Sequence, residues 1–283
     1  MLIALLADIH GNLPALEAAL SDIRKKHRPD RIVSLGDQVN LGPCPRETMA
    51  LLRESGVDCL HGNHERYVLA AMADDPAYAG ANFASLRFNA GQLTAQEITL
   101  PRTMRAGHVL LTHAMPEDDR FPVNDPALAL PRIREMRFDE PAHIVCGHGH
   151  NPTHYRIGNL TLDGIGSLGC MDDGVPGVAS YTLLRVERDG AVLQPCFFSY
   201  DARALKPLFV KSGFAEACPI MAHIICRQMT DNHDYLVSFV TLAREISAQK
   251  GEKTVSPESW QEADARYPWP DGEQTAAFWK PQM

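Results

Sequence analysis

The run Leu2-Ile3-Ala4-Leu5-Leu6-Ala7 is wholly apolar and stops abruptly at Asp8-Ile9-His10. A short apolar run bounded by a polar turn reads as a strand buried on both faces, the kind found in parallel sheets. Asn12 and Pro14 then open a segment in which Leu16, Ala19, Leu20 and Ile23 recur at helical spacing. "RIVSLG" (31–36) is the next strand. "PRETMALLRES" (45–55) is a helix closed by Gly56, and "VDCL" (57–60) is a third strand. Strands alternating with amphipathic helices predict parallel pairing through right-handed crossovers.

Residues 66–105 break this rhythm. They are rich in alanine, carry Pro76 and show helical spacing, which predicts a helical insertion over one rim of the sheet. "HVLLTHA" (108–114) and "HIVCGH" (143–148) resume the buried-strand pattern on either side of a helix over 125–139. From Thr153 to Tyr200 the period falls to two. "THYRIG", "LTLDGIG", "ASYTLLRVER" and "AVLQPCFFSY" read as antiparallel strands, with a hairpin turn at Asp189-Gly190. The expected fold is α/β, two mixed sheets packed face to face with flanking helices. After Asp201 the chain turns helical, with Leu236, Phe239, Val240, Ala243 and Ile246 on one face and a stop at Gly251. The expected organisation is a 1–205 domain containing the 66–105 insertion, and a helical extension, 206–283, packed on it.

The strand ends carry the chemistry. The first ends in Asp8-Ile9-His10, the second in Gly36-Asp37, the third in Gly62-Asn63-His64, the fourth in His113 and the fifth in Gly147-His148-Gly149-His150. In an open α/β sheet, sites form in the crevice outside the carboxyl ends of the strands. In extended backbone, residues i and i+2 point the same way, so Asp8 with His10, and His148 with His150, are expected to converge. His, Asp and Asn donors suit Mn, Fe, Zn, Ni or Co rather than Ca or a thiolate-seeking metal. Asp8, His10, Asp37, Asn63, His113, His148 and His150 are too many for one tetrahedral site and fit two divalent metals sharing a bridging Asp.

The ordered set D-x-H, GD, GNHE, H and GHGH resembles the calcineurin-like metallophosphoesterases. Within them, "LADIHGNLPALEAAL", "LGDQVNLGPCP", "GNHE" and "GHGHNP" are similar to the small bacterial phosphodiesterase and diadenosine-tetraphosphatase-related branch. The resemblance covers about residues 1–200. It implies an αββα sandwich with a dimetal centre, manganese the favoured metal. Asp8, His10, Asp37 and His150 would hold one ion; Asp37, Asn63, His113 and His148 would hold the other. It further implies in-line attack on phosphorus by a hydroxide shared by the metals, with His64 as the acid for the leaving oxygen. The protein-phosphatase branch carries Asp then Arg three and four residues after the GD aspartate. Asn40 and Leu41 stand there instead, which argues against a protein phosphatase; a phosphodiesterase is the favoured expectation, with a phosphomonoesterase or dinucleoside-polyphosphate hydrolase on the same site as the alternative. Asn40 can still hydrogen-bond to His64, and Arg66 can either contact a substrate phosphate or be an exposed helix residue.

Composition narrows the partners. Across 283 residues the net charge is -8, and the longest basic cluster, Arg24 to Arg28, reads as a solvated helix end. This disfavours nucleic acid; a small phosphate ester or nucleotide is the substrate the resemblance implies, and a homo-oligomer is left open. The seven cysteines are odd in number and lack C-x-x-C spacing, which reads as reduced thiols in a cytoplasmic protein. There is neither a signal-peptide pattern nor a membrane span. His61, His108, His143 and His154 read as supporting histidines, and His27, His223 and His233 as surface ones. Glu65 is expected to order its loop through backbone hydrogen bonds. The competing class is a protein-interaction scaffold on the same architecture; retention of every ligand and of His64 favours an enzyme. Trp260, Trp269 and Trp279 predict an ordered tail, with Ser256 as an N-cap and Asp271 with Gln274 as a capping box.

Overall fold

The computed structural model describes residues 1–136, 142–188 and 190–280. The strands are β1 (Leu2–Leu6), β2 (Arg31–Ser34), β3 (Asp58–Cys59), β4 (Thr103–Ala106), β5 (Val109–Thr112), β6 (Ala142–Cys146), β7 (Thr153–Ile157), β8 (Leu160–Gly164), β9 (Val178–Val186) and β10 (Ala191–Ser199). They form two five-stranded mixed sheets, β10-β9-β1-β2-β3 and β4-β5-β6-β8-β7. As expected, β1, β2 and β3 pair in parallel, as do β5 and β6. The alternating strands of the later half do not form a sheet of their own. β9 runs antiparallel to β1 in the first sheet, while β8 runs parallel to β6 in the second. Pro195 is tolerated because β10 is an edge strand.

β1 explains the layering. Ile3, Leu5 and Ala7 join Val33, Leu111, Val145 and Leu184 in the core between the sheets. Ala4 and Leu6, on the opposite face, pack against Leu16, Ala19 and Ile23 of α1 (Leu13–Lys26). The outer face of the second sheet is covered by Ala129 and Ile133 of α6 (Pro126–Glu135). With both faces covered, β1, β5 and β6 are apolar at most positions, which is why they read as continuous runs.

Between lie α2 (Pro45–Glu54), α3 (Asn63–Met72), α4 (Ala84–Ala90) and α5 (Ala95–Ile98), with 3-10 turns at Pro76–Tyr78 and Ala81–Phe83. The rim segment is thus helical, but it begins at Asn63 and stops before β4, which had been assigned to the insertion. β4 is a short edge strand of mixed polarity, without the apolar run that marks its neighbours. The Asp189 half of the expected hairpin turn, and residues 137–139 of the expected 125–139 helix, lie outside the described residues.

Among the described residues six α-helices follow β10: α7 (Leu205–Lys211), α8 (Phe214–Ala217), α9 (Pro219–Asp231), α10 (Leu236–Gln249), α11 (Pro257–Arg266) and α12 (Thr275–Phe278). Ser256 caps α11 through its side chain, accepting from the Ser259 N–H at 3.1 Å. The Asp271–Gln274 capping box does not form. α12 begins at Thr275, and Asp271 instead accepts from Arg227 Nη2 at 2.6 Å. His223, expected at the surface, is fully buried. It stacks on Trp269 and Phe278 at 4.0 and 4.2 Å, and its two ring nitrogens meet Thr275 and Arg227. The tail aromatics created that environment, so the His223 sequence window alone does not show it. Trp260 packs on Phe239 of α10, and Trp279 donates to the Pro219 carbonyl. Phe88 of α4 stacks on Phe214 of α8 at 4.5 Å, and Ala81 donates to Val255. Rim and tail therefore close on each other.

Candidate active site

The loops after β1, β2, β3, β5 and β6 bring all seven sequence-derived ligand candidates together. Because β1–β3 and β5–β6 belong to different sheets, the site spans the C-terminal edges of both rather than the crevice of one open sheet. Convergence within each D-x-H and H-x-H pair does not come from the extended backbone that the spacing predicts. Asp8, His10, His148 and His150 are not extended; their φ angles are 53°, 50°, 63° and 57°, and that of Asp37 is 56°. Left-handed backbone at non-glycine residues is costly and concentrates where function fixes the conformation.

Asp37 is the hub. Its Oδ1 accepts the His64 N–H at 2.8 Å. Its Oδ2 lies 3.3 Å from His113 Nε2, 3.8 Å from His64 Nε2 and 4.0 Å from His10 Nε2. On one side stand Asp8, His10 and His150; on the other, Asp37, His113 and His148, each trio with donor atoms within 4.8 Å of one another. Asn63 joins the second set, with Oδ1 2.8 Å from His113 Nε2. Two glycines make this approach feasible. A Cβ on Gly36 (φ 107°) would sit 2.6 Å from His113 Nδ1, and one on Gly62 would sit 2.1 Å from Asp37 Oδ1.

The hydrogen bonds around the histidines leave metal-facing lone pairs. His113 Nδ1 lies 3.0 Å from the Leu35 carbonyl, so that nitrogen carries a proton and Nε2, which faces Asn63 and Asp37, would ligate once deprotonated. His150 Nδ1 lies 3.1 Å from Asp172, with the same consequence. His10 Nε2 and His150 Nε2 face each other at 3.4 Å. Asp8, Asp37 and Glu65 are buried, and among the described residues no Lys or Arg forms an ion pair with them. Buried carboxylates call for cationic charge, so the donor set fits divalent metal ions.

Electrostatics agree. Burial pushes Asp8 up to about 6 against the pull of His150 and His113. Although burial raises Asp37, His113 and His64 hold it well below the usual carboxylate range. His113, opposed by burial, is lifted to about 9 by Asp37, and His150 to about 9 by Asp172 and Asp8. Burial and His113 push His148 down to about 3, and burial with His64 holds His10 low. Protons on two histidines thus balance carboxylate charge that metal ions would balance when bound.

Glu65 orders the loops, as expected. Its carboxylate accepts from the backbone N–H groups of Gly62, Asp37, Gln38 and Val39 at 2.8, 3.0, 2.8 and 3.3 Å. Burial lifts it to about 7, against those donors. His64, at the N-terminus of α3, has Nδ1 2.7 Å from Asn40 Nδ2, and burial lowers its pKa. Its Nε2 is also within ligand reach of His10 and Asp37. Arg66 is held by Asp119 through two contacts of 2.7 and 2.8 Å and does not line the cavity beside His64 and Asn40. His61 bonds the Ile98 carbonyl, and His143 and His154 share Asp163, away from the ligands. Sequence reading missed Asp172, 22 residues beyond His150 with no motif around it, and Arg244, which reaches the cavity from α10.

The calcineurin-like phosphoesterase family matches residues 1–171, and the chain belongs to it. It is a metal-dependent phosphoester hydrolase. An uncharacterized protein of Methanocaldococcus jannaschii is 29% identical over 169 residues, 57% of this chain and 68% of that one. Serine/threonine-protein phosphatase 1 of Salmonella typhimurium is 41% identical over 66 residues, 23% of this chain and 31% of that one. The crystal structure of a metallophosphoesterase from Sphaerobacter thermophilus is similar with a TM-score of 0.58 at 26% identity, over 80% of this chain and 98% of that one. Among the described residues no helix is long and apolar enough to cross a membrane.

Proposed function

We propose that this chain binds two divalent ions, manganese favoured, and hydrolyses small phosphate esters, phosphodiesters in preference to monoesters. The observation that carries this reading is the adjacency of two donor trios at Asp37, which belongs to one of them and has His10 of the other 4.0 Å from its Oδ2. Asp8, His10, Asp37 and His150 would hold one ion; Asp37, Asn63, His113 and His148 the other. Such a pair supplies Lewis-acid charge for the phosphoryl oxygens and an ionised water near neutral pH. The chain does the rest. Glu65 fixes the loops that carry Asp37 and Asn63. His64 presents a ring nitrogen to the leaving oxygen and holds the proton it needs, and Asn40 orients that ring. An amide can donate to a neutral imidazole or, turned over, accept from a protonated one.

Asn40 and Leu41 stand where a protein phosphatase is expected to carry Asp and Arg, so the short similarity to the Salmonella phosphatase supports the chemistry and not its substrate. Arg66 is read as a rim residue, since Asp119 already engages it. The seven free cysteines fit a reducing, cytoplasmic setting. Residues 1–205 are read as the catalytic unit and 206–283 as an extension that walls its cavity. The test is a panel on chelator-stripped, manganese-reloaded protein, with cyclic nucleotides, dinucleoside polyphosphates and simple monoesters. Metal-dependent turnover with diesters leading is expected. No turnover of any member by protein carrying two ions per chain would overturn the reading; monoesters leading would overturn the diester preference.

A further inference from the structure

A cavity of about 420 Å³ opens directly beside His64, within the roughly 300–1,000 Å³ of small-molecule sites. Asn40, Asn63 and His64 form its floor. Tyr67, Phe83 and Leu86 of the rim make one wall, and Met221, Leu236 and Val240 of the C-terminal helices the other. A phosphate alone needs none of this space. If phosphorus lies at the two donor trios, the leaving oxygen lies at His64 and whatever it is attached to enters this cavity.

Three polar side chains interrupt the apolar lining: Asn82, Thr241 and Arg244. Arg244 is exposed on α10, and among the described residues neither it nor Asn82 has a hydrogen-bond or ion-pair partner. A purely aliphatic leaving group would fill the apolar wall and gain nothing from these groups, which would stay hydrated. A heteroaromatic base can use both: flat faces against the Tyr67 and Phe83 wall, edge donors and acceptors to an amide, a hydroxyl and a planar guanidinium. We infer that this cavity is a subsite for a nucleoside leaving group, built jointly by the rim insertion and α10. The inference rests on the hydrolase reading for its place in the reaction, but not for binding itself.

Binding is therefore measured on the full-length, metal-stripped chain by calorimetry, with adenosine and uridine as probes and octanol and a short phosphotyrosyl peptide as controls. Nucleoside binding is expected, weakened about tenfold by Arg244→Ala, the scale of one charge-assisted hydrogen bond, and abolished by Val240→Trp, which fills the space. In manganese-loaded protein, the same substitutions should lower kcat/KM for a dinucleoside monophosphate relative to the methyl ester of the same nucleotide. Arg244 is exposed, so its variant should fold even if the Val240 one does not. Absence of nucleoside binding, preference for octanol or the peptide, or variants that leave both the affinity and the kcat/KM ratio unchanged would overturn the inference. Nucleoside binding by a protein inactive with every ester would support the subsite and overturn the hydrolase assignment separately.

Discussion

Replacing Glu65 with glutamine changes one atom in a buried carboxylate and tests how the donor loops are held. Glutamine can keep one oxygen against Gln38 and Val39, at 2.8 and 3.3 Å. Its amide nitrogen must then face the N–H groups of Asp37 and Gly62, now 3.0 and 2.8 Å from a carboxylate oxygen. Two buried donors lose their acceptor, at ~1–3 kcal/mol each. Allowing for relaxation, a loss of about 3 kcal/mol is expected, which for a chain of this size is a fall of roughly 6–12 °C in Tm. Burial lifts Glu65 to about 7, so the comparison belongs at pH 8, where the carboxylate is the native form. Calorimetric melts with and without manganese measure it, with metal content determined in parallel. Asp37 and Asn63 sit on the two loops that Glu65 joins, so metal affinity should fall as well. A Glu65→Gln protein with wild-type Tm and metal content would refute the argument that these four hydrogen bonds hold the site.

His64→Ala should lower kcat by on the order of 10²–10⁴ with metal content nearly unchanged, and less for acidic leaving groups; loss of metal would instead make His64 a ligand. Asn40→Ala removes the 2.7 Å contact to the His64 ring and should lower kcat by a smaller factor at similar KM; equal loss in KM would point to substrate binding. Burial and Arg227 push His223 down to about 3. The unfolded chain therefore takes up a proton below about pH 6.5 that the folded chain refuses, so stability is full above that pH and declines as pH falls, by at most about 5 kcal/mol. His223→Asn should flatten that acid-side decline in Tm, and an unchanged pH dependence would exclude His223 as its source. Trp269→Ala should destabilise by about 3–5 kcal/mol and, through α10, loosen the cavity wall. A melt and a substrate panel indistinguishable from wild type would show the tail aromatics dispensable.

Most strand ends were legible because a strand buried on both faces leaves an apolar run, and Asp8, Asp37, His113 and His148 each follow one; Asn63 follows the two-residue edge strand β3 and was legible only from its Gly-Asn-His motif. The convergence of those ends was legible as chemistry, though not as geometry. Left-handed backbone at Asp8 and His150 leaves no trace in residue spacing beyond the neighbouring glycines. β4 escaped because an edge strand need not be apolar. His223 and Asp172 escaped because their surroundings come from distant segments: tail aromatics for one, and the imidazole of His150 for the other. Arg244 looked like any helix-surface arginine until α10 was set against the rim.

Asp37 is expected to lie between two metal ions. Anomalous diffraction from manganese-loaded crystals tests it most directly. Two peaks flanking Asp37 are expected, one contacted by Asp8, His10 and His150 and the other by Asn63, His113 and His148. A single peak at full loading, or a second peak away from these donors, would contradict the account.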